Sequence, residues 1–372
     1  MSNKMKICII DNMASLYRAG IYKKIDDEFE CEWYFGRPFS GIKGLPLEFF
    51  KHAEYTENST FLRKPLYRQS KVSKLLHDKR YDAIVVIGEI TNVSLWWGML
   101  LHKCFFKKPK VFYWTHGMLR VRKQPRLFFD KVFYHLADEI FTYGDKAKEI
   151  MVGQGFESNR IHPIHNSLDY DTQVLLRDNY SNIYRSHFKN NNYTLLFIGR
   201  LTKVKKLHMI IDAIAILNNR GLQLNCVYIG DGPVKDSLQK LASQRKVQDQ
   251  VWFYGPCYDE KEKSILIANA DLCVAPGNIG LTAMDSLVYG TPAITMDNFG
   301  KQMPEHEAIK DGITGTFFKE DDVEDLAGKI EQWFADHCDR NAIRENCYKE
   351  IDEYWTPEYQ MNVLKEFLKK QI

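Results

Sequence analysis

The chain has 372 residues, 45% hydrophobic and 27% charged, which is too long for one ordinary domain and apolar enough to fill two cores. Its eight cysteines form no C-x-x-C pair, which argues against a zinc module or a disulfide framework, and no apolar run approaches the ~18 residues of a membrane span. The formal charge of +3 conceals an asymmetry: residues 61–131 hold 16 Lys and Arg against four acids, a net +12 that leaves −9 on the remainder.

The start, "MSNKMKICIIDNM", reaches Asp11 too early for a secretory signal, and Cys8, Cys226 and Cys273 sit in apolar runs as reduced thiols, so a cytoplasmic protein is expected. The first half carries six short apolar runs: "KICIID", "CEWYFG", "AIVVIG", "VFYWTHG", "EIFTYG" and "IHPIHN". Within it, "FLRKPLYRQSK", "KCFFKKPK" and "MLRVRKQPRLFFDK" interleave cations with aromatics. That pattern is read either as a solvated face or as a contact with a polyanionic surface, such as an anionic membrane or nucleic acid. The polar stretch "LLRDNYSNIYRSHFKNNNY" is the expected domain junction. Six more runs follow: "TLLFIG", "CVYIG", "VWFYG", "LCVAP", "PAITM" and "GTFF". Nearly continuous apolar strands separated by helical stretches predict parallel sheets covered on both faces, hence two doubly wound α/β domains. Leu207, Ile210, Ile211, Ile214 and Leu217 fall on one face of a predicted helix.

In such sheets ligands sit beyond the carboxyl ends of the strands. Four consecutive strand ends in the second half carry the expected chemistry. "GRLTKVKK" brings Gly199, Arg200 and Lys205; "GDGP" brings Gly230 and Gly232; "FYG" ends at Gly255. "GNIGLTAMDSLVYGTP", residues 277–292, then opens a helix whose first N–H groups suit an anion. Each piece alone is an ordinary turn or surface charge, but together they form a coherent diphosphate site.

In order and spacing, "IGRLTKVKK", "YIGDGP", "FYG", "NADLCVAP" and "GLTAMDSLVYGTPAI" resemble the donor domain of family 4 retaining glycosyltransferases, glycosyl transferases group 1. The resemblance is strong over residues 194–318 and weaker at "YWTHG" and "HNSLD". It implies the GT-B architecture, two Rossmann-like parallel-sheet domains facing a cleft. Residues 1–170 with a returning helix at 355–372 would form the acceptor side, and 190–354 the nucleotide-sugar side. It further implies that Arg200 and Lys205 hold the donor diphosphate with the backbone of Gly280 and Leu281, and that His116 lies near the transferred sugar. Gly199, Gly230, Gly232, Gly255, Asn278 and Ile279 would line the donor site, and Asp285 would meet the ribose. The family usually has two glutamates eight positions apart; here the first position is Gly277 and the second Asp285. Lys206 stands in place of a usual glycine, and "DNMASLYRAG" in place of the usual paired glycines after the first strand.

The activity so implied is transfer of a sugar, with retention and without a metal, from a nucleotide-sugar to a glycan or lipid-diphosphate-linked acceptor in cell-surface polysaccharide synthesis. A UDP-sugar is expected ahead of a GDP-sugar, with no cofactor. "LDYD" (Asp169, Asp171) mimics a metal motif but lies at the junction and is read as structural. The rivals are a nucleotide-sugar epimerase and a nucleotide-sugar-binding protein without turnover; nucleic acid rests on the +12 window alone and is not expected. That window predicts a peripheral position on the inner face of an anionic membrane.

Overall fold

The computed structural model describes residues 4–37, 44–62, 64–106 and 108–370. Arg63 and Lys107 of the basic window, residues 1–3 of the start and residues 371–372 lie outside the described residues. The chain divides into two units, Met1–Asp169 with Thr356–Ile372, and Tyr170–Trp355.

The first unit holds strands β1 (Lys6–Asp11), β2 (Glu30–Gly36), β3 (Ala53–Thr56), β4 (Asn58–Thr60), β5 (Tyr67–Gln69), β6 (Ala83–Ile87), β7 (Lys110–Thr115), β8 (Glu139–Thr142) and β9 (Ile161–Pro163). Seven of them make one sheet in the order β3-β2-β1-β6-β7-β8-β9, with every pairing parallel. The second unit holds β10 (Thr194–Ile198), β11 (Asn225–Ile229), β12 (Val251–Gly255), β13 (Leu272–Ala275), β14 (Ala293–Met296) and β15 (Gly315–Phe318). They form a parallel sheet in the order β12-β11-β10-β13-β14-β15. Strands β10, β11, β13 and β14 are buried along their whole length, the consequence of apolar side chains on both faces. The helix His208–Asn219 covers one face with Ile210, Ile211, Ile214 and Leu217.

All twelve apolar runs are strands. The sequence reading lacked β3 and the small antiparallel pair β4–β5, because "NST" and "YRQ" are too short and polar to carry a period. The polar stretch 175–193 is not a linker between the units but part of the second. Its side chains bond that unit's backbone and caps: Tyr184 Oη donates to the Leu266 carbonyl at 2.5 Å, and Arg177 Nε to that of Val288 at 3.0 Å. The backbone N–H of Ser181 reaches Asn269 Oδ1 at 2.8 Å. Much of the stretch is exposed, but these bonds tie it to the second unit, and the chain crosses between units at residues 169–170 and again at 355–356.

The last helix, Pro357–Lys369, packs on the first unit's sheet through Met361, Leu364 and Leu368, in one core with Ile7, Ile25 and Phe141. Thr356 caps its start, and Gln360 anchors it: Nε2 donates to the His165 carbonyl at 3.0 Å, while Oε1 accepts from Ser167 Oγ at 2.5 Å. Leu364→Ala is expected to cost about 2–5 kcal/mol by leaving a cavity in that core. Hydrogen exchange should show lost amide protection in β1 and β6 while β10–β13 keep theirs; equal loss in both units would contradict this division of the core.

Candidate functional site

The order of strands in the second sheet reverses between β10 and β13, and this switch point is where open α/β sheets bind ligands. The loops leaving β10, β11, β12 and β13 are joined there by backbone hydrogen bonds. Gly277 N donates to Lys205 O (3.0 Å), Leu201 N to Asp231 O (2.9 Å), and Gly230 N to Gly255 O (2.8 Å). Thr282 Oγ1 adds a bond to the carbonyl of Ile198, the last residue of β10, at 2.9 Å. The four strand ends singled out in the sequence are thus one continuous surface.

Close approach explains three of its glycines. A Cβ on Gly230 would lie 1.9 Å from Gly199 O, and one on Gly232 2.3 Å from Leu201 O, so both make room for the 199–202 loop rather than for a ligand. Gly255, at φ 99°, is different: nothing lies within 4 Å of its would-be Cβ, and it fronts open space. Gly277 is buried, and a Cβ there would meet Val204 O at 2.2 Å and Lys205 Cα at 2.8 Å. The place of the usual first glutamate is therefore filled by the backbone of 204–205.

The cations divide their work. Arg200 is exposed and has no acid partner among the described residues. Lys205 is turned inward, its Nζ 2.5 Å from the Asn278 carbonyl. Burial holds its ammonium below the ordinary range, opposed in part by the buried Glu305. Lys206, at φ 52°, points to Glu320 (2.9 Å) and Asp321 (2.6 Å), and together with Lys301 and Asn298 it holds the Glu320 carboxyl at about 2. It is a structural lysine, spent on an acid pair.

The 277–281 loop is pinned before the helix Thr282–Val288. Asn278 Nδ2 donates to Lys301 O at 2.9 Å, and Ile279, fully buried, donates its N–H to Gln302 Oε1 at 3.0 Å. The Ile279 N–H is thus closed to a ligand, whereas the Asn278 amide keeps a second N–H. The N–H groups of Gly280 (φ 54°) and Leu281 have no acceptor among the described residues, so the loop offers two backbone donors. Gln302, itself held by Thr295 Oγ1 at 2.9 Å, is a site-building residue that sequence reasoning missed; a lone Gln in "NFGKQMPEH" carries no signal.

Asp285 lies a turn into that helix with about a fifth of its side chain exposed. Its Oδ1 accepts from Lys263 Nζ at 2.9 Å and Gln173 Nε2 at 3.2 Å. Lys263 also meets Glu260 at 2.8 Å, and Tyr289 Oη donates to Glu260 at 2.6 Å. Burial works against the Lys263 charge, but Asp285 and then Glu260 outweigh it and hold the ammonium above its usual range. The acid is thus locked in a cluster with Lys263, Gln173 and Glu260, and among the described residues its Oδ2 accepts no hydrogen bond.

In the first unit the corresponding strand ends carry no glycine pair. Asp11, closing β1, is buried and accepts from Arg18 Nη1 and Tyr22 Oη, each at 3.1 Å. The Arg18 guanidinium stacks over Trp114 (5.1 Å) and Tyr143 (4.9 Å). His116 follows β7, its ring 4.8 Å from that of Tyr143. Surrounding protein and then the Arg18 charge hold its imidazole below the ordinary range. His116 itself is exposed, and both influences favour its neutral imidazole. The neighbouring loop is tied in by Thr115 Oγ1 to Gly88 O at 2.8 Å, and its Glu89, also missed in the sequence, accepts from Asn12 (2.9 Å) and Tyr67 (2.7 Å).

Two Rossmann-like parallel sheets, one carrying a cation-lined helix start at its switch point, define the GT-B class. Residues 181–350 match the family of glycosyl transferases group 1. The chain is 31% identical over 150 residues to the putative glycosyltransferase EpsD of Bacillus subtilis, covering 40% of this chain and 38% of that one. It is 34% identical over 114 residues to a GDP-mannose-dependent alpha-(1-6)-phosphatidylinositol dimannoside mannosyltransferase of Mycobacterium tuberculosis, covering 30% and 29%. It thus spans well under half the length of these relatives. Among solved structures, Anabaena HepE in complex with UDP superposes with a TM-score of 0.73 at 18% identity, over 98% of this chain and 100% of that one. The lipopolysaccharide outer core galactosyltransferase WaaB in its apo form gives 0.72 at 17% identity, over 98% and 100%.

The two cations should separate experimentally. A charge-assisted bond to phosphate is worth about 1.5–3 kcal/mol, roughly ten- to a hundred-fold in affinity. Arg200→Ala is expected to lose that much nucleoside diphosphate affinity with an unchanged Tm. Lys205→Ala should also lower Tm, because the Asn278 carbonyl loses its donor. Unchanged affinity in both variants would remove the diphosphate assignment. For Asp285→Asn, calorimetry is expected to show similar weakening for nucleoside diphosphate and intact donor, since both carry the ribose. A loss of Tm with unchanged affinity would make the acid purely a partner of Lys263.

Proposed function

We propose that the protein is a retaining, metal-independent glycosyltransferase that moves a sugar from a nucleotide-sugar, a UDP-sugar ahead of a GDP-sugar, to a glycan or lipid-linked glycan in cell-surface polysaccharide synthesis. The observation that carries this reading is the switch point of the second unit. There an exposed Arg200, the inward Lys205 and two open N–H groups meet on one hydrogen-bonded surface. Loss of a nucleoside diphosphate leaves charge on the departing oxygen, and preorganised donors of this kind stabilise it. The group 1 match over residues 181–350 supports the same chemistry. The departing phosphate itself would accept the acceptor's proton. Incubation with a panel of nucleotide-sugars tests this: release of nucleoside diphosphate that requires an added glycan acceptor is expected, and tight binding without release would favour the second reading.

That second reading, nucleotide-sugar binding without turnover, rests on Gly277, where no side chain can be accommodated. Sugar recognition on the donor side would then lack its usual first carboxylate. In the transferase reading, His116 contributes a neutral imidazole to the sugar. His116→Ala should lower kcat more than it changes nucleotide affinity. Because the ring is pushed toward its neutral form, any loss of kcat on acidification should set in below the ordinary imidazole pKa of about 6.5; a limb above that value that vanishes in the variant would overturn the role.

The basic window would hold the enzyme on the inner face of the membrane. Among the described residues no helix is long and apolar enough to cross one. Each Lys or Arg near an anionic surface contributes roughly 1 kcal/mol and is screened by salt. Co-sedimentation with anionic vesicles at low salt, lost at high salt, is expected; no binding at low salt would return the window to a solvated role.

A further inference from the structure

In the first unit, the helix Arg126–Leu136 and the turn before β9 enclose a groove of about 430 Å³. Its walls are Phe128, Val132, Leu136, Ile140, Phe156 and Ile161. Ile140 and Ile161 lie near the starts of β8 and β9, whereas His116 follows the far end of β7, so the groove stands apart from the strand-end site. Its volume is that of a small-molecule pocket, which runs about 300–1,000 Å³.

Two cations border these apolar walls. Lys131 is exposed and has no acid partner among the described residues. Arg160 spends its donors on the carbonyls of Ala137 and Asp138 (3.2 Å to the latter) and on the His135 ring at 3.4 Å, which leaves its charge unneutralised. Glu157 is the one acid along the border among the described residues. The same helix continues the cation run Arg120, Arg122, Lys123 and Arg126, and it leaves Phe128 and Phe129 59% and 54% exposed. A wholly polar polyanion would leave the apolar walls in water, and a neutral apolar segment would leave the cations without a counter-charge. Apolar walls with a cationic lip match a single molecule that is apolar along its length and anionic at one end.

We propose that this groove binds the hydrocarbon chain of an anionic lipid, with the lipid's phosphate against Lys131 and Arg160. The site is independent of transfer chemistry and of the second unit. The test is calorimetry and native mass spectrometry on the full chain with dodecyl phosphate, kept below micelle formation. One molecule per chain is expected. Each buried methylene is worth about fourfold in affinity, so decyl phosphate should bind roughly tenfold more weakly or worse. Dodecyl phosphocholine, with its compensating charge, should bind more weakly than dodecyl phosphate. Val132→Trp fills the groove and should reduce dodecyl phosphate affinity at least tenfold; Lys131→Glu, an exposed change that leaves the walls intact, should do the same.

Absence of saturable one-to-one binding, equal affinity for the two chain lengths, or unchanged affinity in both variants overturns the assignment. A dimer in sedimentation that Val132→Trp dissolves gives the groove to a second copy of the chain and overturns it as well. Vesicle binding through the wider basic window survives any of these outcomes, so the two readings fail separately.

Discussion

The second unit depends on backbone packed directly against backbone at its switch point. The 199–205 loop lies so close to 230–232 and to Gly277 that Cβ atoms at 230, 232 and 277 would fall 1.9–2.3 Å from carbonyl oxygens. This contact lets the loop from β10 hydrogen-bond to both neighbouring strand ends and brings Lys205 beneath the 277–281 loop. It also removes the option of a side chain at 277. The missing carboxylate and the rigid helix start are two consequences of one packing decision. In the proposed transferase a donor sugar would find its hydroxyl partners elsewhere.

The electrostatics follow from that geometry. Three lysines and an arginine stand in "GRLTKVKK", yet their surroundings differ sharply. Lys206 is neutralised by Glu320 and Asp321, and Lys205 is half desolvated against a carbonyl with Glu305 as distant counter-charge. Arg200 is left to solvent. An anion arriving at Gly280 and Leu281 would meet one exposed cation, two fixed N–H groups and the partly desolvated ammonium of Lys205. Donors held in place before binding cost little reorganisation as charge develops, which is what an electrostatic site requires.

The sheets were legible because their physics is local. A strand buried on both faces must be apolar throughout, and all twelve such runs are strands. Strand-end glycines were legible for the same reason, although close approach of backbone, rather than of ligand, turned out to be the cause at 230 and 232. What the sequence hid is pairing at a distance. Gln302 holds Ile279 from 23 positions away, and Lys263 meets Asp285 across 22. A polar residue bonded to a remote backbone group looks, in one dimension, like any solvated residue. The 175–193 stretch failed for that reason: its polarity satisfies carbonyls and caps of the second unit.

The first unit solves its corresponding problem differently. Where paired glycines would let a ligand approach the end of β1, this chain buries an Asp11–Arg18 pair closed by Tyr22 and roofed by Trp114 and Tyr143. Burial pushes the Asp11 carboxyl up, against the pull of Arg18 and Tyr22, so the pair is held by its geometry and not by cheap solvation. A buried ion pair adds little net stability, but breaking one half of it leaves a charge stranded, which fixes the arrangement once formed. The aromatic roof then sets the position of His116 through Tyr143, and the Arg18 charge disfavours protonation of that histidine. The substitution of a rigid, polar, aromatic-capped corner for a glycine turn therefore does two things at once. It closes the end of β1 to the backbone approach a glycine pair permits, and it disfavours protonation of the imidazole that follows β7, which can then hydrogen-bond a hydroxyl without adding charge.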